Sequence, residues 1–394
     1  MSGAAEVHEA GIVLAEGGAL ARWAAALVAG RPPGRLSVGP AEAVATFLGR
    51  RGLAGLARTA VERGSATVDE DTARALAGPA AVASIRGSEA LDAAGRVRAA
   101  LAADGVETLL FKGAAIVKAG LRTVTERAFS DVDVLLRPED AGRAIAVLQG
   151  EGLVPWVPWD ERRLEWLSAF TLDLPGVSEE LAVTFDVHWS TRCADLRHRR
   201  HDTPDPLWSG YDRERGVPGA EGHFAMIADH ILKHLHVTVH LSGFADLVRL
   251  LPEVLDPDAL GRHAAGRCLG RRLPRLLDVL EQSFGVPRDA FGVLPPELRP
   301  TGRPIPASLA LERLLQRGTS PTSDRGGGLR LRWAMGSSAV HDVSDVLLPD
   351  SRWLRARYPT IGTGPGRRLE HLRRVALWLT RGAPSPVSPN QDLE

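Results

Sequence analysis

The sequence predicts an α+β protein, a mixed-sheet core flanked by helical N- and C-terminal regions. Three observations predict it: helix-spaced apolar residues at the start of the chain, short apolar runs bounded by turn residues in the middle, and a return to helical spacing afterwards. At 394 residues, with 44% hydrophobic and 24% charged, the chain is long enough for two or three domains and too apolar to be disordered.

Residues 1–85 form the first helical region. In EAVATFLGRRGLAGLARTAVERG, Val44, Phe47, Leu48, Leu56 and Ala60 fall near helical spacing, and Arg31-Pro32-Pro33-Gly34 and Gly78-Pro79 mark loops. Residues 86–215 form the core. A helix (SEALDAAGRVRAALAAD) ends at Asp104-Gly105, and VETLLF follows as a buried strand, too short for a helix. After Lys112-Gly113 come the helix AAIVKAGL, the polar turn RTVTERAFS and the strand DVDVLL. Pro138, with acids beside it, opens another helix that ends near Gly150 and Gly152. FTLDLPG and LAVTFDVHWS flank an acidic turn as an antiparallel pair. Residues 216–384 read as a helical domain with a loop at GTSPTSDRGGG, and residues 385–394 as a flexible tail.

Composition excludes several function classes. Lys plus Arg and Asp plus Glu both total 48, so no overall field gathers nucleic acid or an acidic membrane. No apolar run approaches the roughly 18 residues of a membrane span, and the first residues lack the pattern of a secretion signal. A cytoplasmic protein with no membrane or nucleic-acid partner is expected. Cys193 and Cys268 lie too far apart, in a chain with no sign of export, to announce a disulfide framework or a zinc site. The arginine-rich end, from Arg352 to Arg374, reads as a solvated helical face.

The chemistry gathers around two strands. Side chains alternate along a strand, so Asp131 and Asp133 share one face while Val132 and Val134 take the other. Paired carboxylates beside apolar residues repel each other unless a cation bridges them, and a divalent metal such as magnesium suits them together with substrate phosphates. Asp186 and His188 share a face in the same way. If their strand lies beside the first, Asp186 is a third acid that binds a second metal or takes a proton from an attacking hydroxyl. His188 either orients Asp186, touches phosphate, or is an inward histidine held by a carbonyl. Gly113 sits at a strand-to-helix turn that can face phosphate, with Lys112 and Arg127 as cations for it. Only three of the 48 basic residues are lysine, Lys112, Lys118 and Lys233, so a position that keeps lysine is a candidate for needing a compact ammonium. A lone D-x-D is a weak signal; its company carries the weight.

Together LLFKGAAIVKAGL, RAFSDVDVLLRPEDAGRAIAVLQGEGL and FDVHWS resemble the uncharacterised nucleotidyltransferase family of bacterial proteins, within the polymerase-beta-like nucleotidyltransferase superfamily. HILKHLHVTVHLSGFADLVRLL is similar to the family's His-rich helix and VLLPDSRWLRARYP to its late segment, so the resemblance spans about residues 86–375. It implies a nucleotidyltransferase core and metal-dependent transfer of a nucleoside monophosphate to an acceptor. Asp131 and Asp133 would be metal ligands and Asp186 the third acid. Lys112-Gly113 departs from the superfamily's Gly-Ser turn and lacks its hydroxyl, a contact that Ser130 is placed to replace in part.

The expected reaction is in-line attack by an acceptor hydroxyl, on a small molecule or a peptide, at the α-phosphate of a nucleoside triphosphate, here expected to be ATP. Pyrophosphate leaves and two magnesium ions assist. The histidine group His230, His234, His236 and His240 reads as a helix packed toward the cleft, with Lys233 or His234 near the nucleotide, or as a structural helix. Two alternatives stay open: a catalytically inactive nucleotide-binding or regulatory member of the same fold, and a zinc hydrolase built on His230 and His234, although H-E-x-x-H is absent.

Overall fold

A computed structural model describes residues 18–37, 39–129, 131–156, 169–176, 182–191, 205–234, 240–267, 269–305, 354, 361 and 363–381. Helix α1 (Ala19–Val28), strand β1 (Gly34–Arg35), helices α2 (Ala41–Arg50) and α3 (Ala54–Glu62) and strand β2 (Ala66–Thr67) lead into the long helix α4 (Glu70–Ala103). The core follows as β3 (Thr108–Phe111), α5 (Lys112–Lys118), β4 (Asp131–Leu136), α6 (Ala141–Gly150), β5 (Val154–Pro155), β6 (Ala169–Leu174) and β7 (Val183–His188). Helices α7 (Ala220–His234), α8 (Leu241–Leu250), α9 (Pro257–Gly266), α10 (Arg272–Phe284) and α11 (Gly364–Arg381) complete the described chain. Cys193, Cys268, the GTSPTSDRGGG loop and the tail lie outside the described residues, as does nearly all of the late segment.

The mixed α+β class is as expected from the sequence. The strands form one sheet in the order β3-β4-β7-β6-β5, and β1 and β2 make a separate two-residue pair. β4 and β7 run parallel, while β3/β4, β7/β6 and β6/β5 are antiparallel. The expected β6/β7 pair is therefore present; the short edge strand β5 and the β1/β2 pair are additions that such brief segments do not announce.

One expectation is corrected. Gly78-Pro79 does not make a loop: α4 continues through it and on past residue 85. Proline removes one helical hydrogen bond, but the helix has strong local support. Asp69 caps it by accepting from the Thr72 backbone N–H at 2.7 Å, and Glu70 and Asp71 occupy its positively polarised first turn. Thr72, Leu76 and Ala80 are buried on either side of the proline, so tertiary packing outweighs the local defect.

Two cores hold the sheet between them. One sheet face, with Leu110, Val132, Val134, Leu136, Phe185 and Val187, packs on the alanine-rich second half of α4 and on α6. The opposite face contributes Leu109, Phe111 and Leu135 to a larger core shared by α1–α3 and α7–α10. Asp131, Asp133, Asp186 and His188 also belong to this second face by strand alternation.

Buried polar contacts fix the two ends of the site. Arg267, just beyond α9, donates to the Thr191 carbonyl at 2.8 Å and lies 3.5 Å from Asp205, whose other oxygen accepts from the Thr191 N–H at 2.6 Å. That network anchors the chain leaving β7. On the entry side, Gly55 in α3 lets the backbone carbonyl of Thr125 approach so closely that an added Cβ would lie 1.6 Å from it.

Gly55→Ala is therefore expected to lose about 3 kcal/mol or more through overpacking against rigid backbone. Gly95→Ala, in α4 with open space around it, should gain about 1 kcal/mol from helix propensity. Urea unfolding of both variants checks the opposite signs; equal effects would remove the proposed close approach at Gly55.

Candidate functional site

The strand register builds the site. Along β4 and β7, Asp133 pairs with Asp186 and Leu135 with His188; across β6, Thr171 pairs with Asp186. Because paired residues share a face, Asp133, Asp186 and Thr171 form a row, with Phe111 of β3 at its other end opposite Asp133. Asp131 stands two residues earlier on the same face, at the exposed start of β4. Asp186 thus lies directly across from Asp133, while Asp131 pairs with Thr184 further along the same face.

Asp133 is only 2% exposed, and an isolated buried carboxylate is costly. Lys112 meets it, with Nζ 2.5 Å from Oδ1. His188 Nε2 lies 3.3 Å from the same oxygen, close enough for electrostatic attraction but not aligned as a hydrogen bond, and this buried nitrogen has no hydrogen-bond partner among the described residues. Burial alone would push the Asp133 carboxyl up; the Lys112 ammonium and the His188 ring overcome it and hold it well below the usual carboxylate range. Burial likewise opposes the Lys112 charge, and Asp133, with smaller contributions from Asp131 and Asp186, holds it above the ordinary lysine value. Asp131 behaves oppositely. Although its side chain reaches solvent, the surrounding protein and the Asp133 charge push its carboxyl up.

Lys112 carries a backbone cost as well. Its φ is +52°, the only positive value at a non-glycine among the described residues, in a region that disfavours side chains by about 1 kcal/mol. A glycine would suit this strand-to-helix turn better, yet the chain places one of its three lysines here. The next residue, Gly113, has another constraint: an added Cβ would lie 3.0 Å from Phe129 Cβ, so the glycine lets α5 pack on that ring.

The remaining sequence candidates divide. Arg127 donates to Asp246 of α8 at 2.6 Å, and Arg122 lies 3.3 Å from the other Asp246 oxygen. This pair ties the loop before β4 to the helical region. Ser130 lies outside the described residues, as do the side chains of Lys233 and His234 and the whole of His236. The zinc reading on α7 consequently has His230 but no described His234 side chain to join it.

Other residues join the site without having stood out in the sequence. Thr171 donates from Oγ1 to Asp186 Oδ1 at 2.7 Å. Phe111 presents its ring edgewise to His188, with centroids 4.9 Å apart. His223 of α7, buried at 2% exposure, lies against the Lys112 backbone. By contrast His240, grouped by the sequence with His230, His234 and His236 on one helix, sits apart from the first two: α7 ends at His234 and His240 precedes the first residue of α8. A single histidine within an apolar helix face gave no local signal for His223; only the turn it supports reveals it.

Asp133, Asp186 and His188 each offer a ligand atom, all within 4.8 Å of one another. Two carboxylate oxygens and an orphaned buried imidazole nitrogen fit a divalent cation. Asp131 is outside this tight group, on its rim.

Fold and site define the class: a mixed-sheet α+β protein that gathers two carboxylates and an imidazole, a group that could hold a cation, beside a strand-to-helix turn. The family model described as "Uncharacterised nucleotidyltransferase" matches residues 40–284, more than half of the chain, and the protein belongs to that family. The match begins well before residue 86 and ends before the late segment. No curated protein and no solved structure matches the chain. Among the described residues, no helix is long and apolar enough to cross a membrane.

His223 supplies a pH test. Burial pulls its pKa down from 6.5 to about 4, so the folded state resists protonation. The stability that depends on a neutral His223 is complete above pH 6.5 and is lost as pH falls toward about 4, by about 3 kcal/mol. His240 and His263 are displaced in the same direction. The difference between wild type and His223→Gln therefore isolates His223. Urea unfolding across this window should show a shallower loss for the variant; identical slopes would contradict the assignment.

Proposed function

We propose that the protein is a metal-dependent nucleotidyltransferase of the polymerase-beta-like superfamily. It moves a nucleoside monophosphate from a nucleoside triphosphate, ATP in the first instance, to a hydroxyl or similar acceptor on a small molecule or peptide. The carrying observation is the row across β4 and β7, where Asp133 faces Asp186 with His188 beside them and the Lys112 ammonium on Asp133. Family membership supports the same class of reaction.

Asp133, Asp186 and His188 would hold the divalent ion, with magnesium the first choice once triphosphate oxygens join the carboxylates, and Asp131 placed to serve a second. The ion supplies charge neutralisation to the phosphate oxygens. The chain does the rest. Asp186 takes the proton from the acceptor hydroxyl as the new O–P bond forms at the α-phosphorus and the bond to pyrophosphate breaks. Thr171 donates to Asp186 Oδ1, which orients the carboxylate; because each carboxylate oxygen has two lone pairs, Oδ1 would still serve the ion while Oδ2 takes that proton. Lys112, at the turn beside Asp133, would offset the charge of the leaving pyrophosphate. His223, held neutral, maintains the backbone of the turn that aims Lys112.

Asp133→Asn keeps size and removes a ligand charge. Pyrophosphate release from ATP with added magnesium, assayed against a panel of hydroxyl acceptors, should fall by about 100-fold or more. Release at the wild-type rate would sink the assignment, while ATP binding without any release would leave the inactive, nucleotide-binding reading.

A further inference from the structure

The row Phe111-Asp133-Asp186-Thr171 does not end at β6. β5 pairs with β6 through Val154 opposite Asp173 and Pro155 opposite Leu172, and the Trp156 N–H continues the ladder to the Thr171 carbonyl at 3.2 Å. Trp156 therefore falls opposite Thr171, in the same row and on the same face as the carboxylates. Two strand spacings, about 10 Å, separate it from Asp186. Its indole is 52% exposed, and Val154, its neighbour on that face, is 56% exposed.

An exposed tryptophan alone means little. This one is held in place: its indole N–H donates to Asp173 Oδ2 at 2.7 Å, and Asp173 Oδ1 accepts from Thr184 Oγ1 at 2.8 Å. Thr184 pairs in turn with Asp131. The ring is thus oriented through a polar chain that begins beside the first acid. Pinning its one polar atom leaves the apolar ring face as the part offered to solvent, a preorganised stacking surface.

Position decides what would stack there. In-line displacement requires the nucleophile and leaving group to lie on opposite sides of the α-phosphorus. Lys112 reaches Asp133 from the β3 side, whereas Trp156 lies on the β5 side, beyond Asp186. The triphosphate tail belongs with Lys112, so the Trp156 side is left for the acceptor. This rests on the transferase reading above. We infer that Trp156, backed by Val154, is the acceptor-side platform, and that the acceptor carries a ring with an apolar face, aromatic or sugar, next to the hydroxyl that attacks.

The test measures binding to the full chain by ligand-observed NMR, using N-acetyltyrosinamide and methyl β-glucoside as ring-bearing probes and N-acetylserinamide as the ringless one. Wild type should bind at least one ring probe better than the serinamide, and which of the two binds separates an aromatic from a sugar acceptor. Trp156→Ala should weaken that binding about fivefold or more, while Trp156→Phe retains most of it. Asp173→Asn, which keeps the ring but weakens its tether, should give an intermediate loss. Ring probes that bind no better than the serinamide, or that bind Trp156→Ala as they bind wild type, would overturn the inference. A parallel titration with ATP and magnesium keeps the two readings apart. ATP binding with failed ring binding removes only the acceptor platform, whereas no ATP binding with intact ring binding removes the transferase reading and leaves a ring-binding surface.

Discussion

A carboxylate buried in the sheet is the constraint on which the rest of the site depends. A carboxylate buried as Asp133 is costly without a cation, and the Lys112 ammonium stands against it. That pairing gives a reason for a lysine to tolerate a left-handed backbone at the turn, and His188 approaches the same carboxylate, its Nε2 without a hydrogen-bond partner among the described residues. Each feature would be a defect in isolation. Around a cation site they are mutually consistent.

The parallel pairing of β4 and β7 turns this single charge into a site. It sets Asp186 directly across from Asp133 and leaves Thr171 on the next strand to hold the third acid. The surrounding helices are not a passive coat. Asp246 on α8 restrains the loop before β4 through Arg122 and Arg127, and Arg267 beyond α9 restrains the chain leaving β7. The start of β4 and the end of β7 are therefore fastened to the helical region through buried ion pairs, and breaking such a pair by removing one partner costs several kcal/mol.

Much of this was legible in the sequence. The apolar alternation of DVDVLL and VTFDVH placed the acids on common faces, because strand alternation is a local property. The strand-helix order implied a mixed sheet. Less was legible where the outcome depends on distant packing. Pro79 reads as a break because its local cost is real, and burial of Leu76 and Ala80, added to the Asp69 cap, reverses it. Arg127 reads as a phosphate ligand, but its guanidinium is engaged by Asp246, 119 residues away. Gly113 reads as a phosphate-facing glycine, and the ring of Phe129 gives it a steric reason as well. His223, Thr171 and Trp156 had no local signal, since each acquires its role from a register or a turn that one segment alone cannot specify.

On the proposed reading a metal belongs between Asp133 and Asp186, and Lys112 holds its place. The most direct measurement is a crystal structure with manganese and a non-hydrolysable ATP analogue, using anomalous scattering to locate the ion. The account predicts an anomalous peak within coordination distance of both carboxylates, with Lys112 Nζ moved off Asp133 toward phosphate. Lys112 still seated on Asp133, with the ion bound elsewhere, would contradict it.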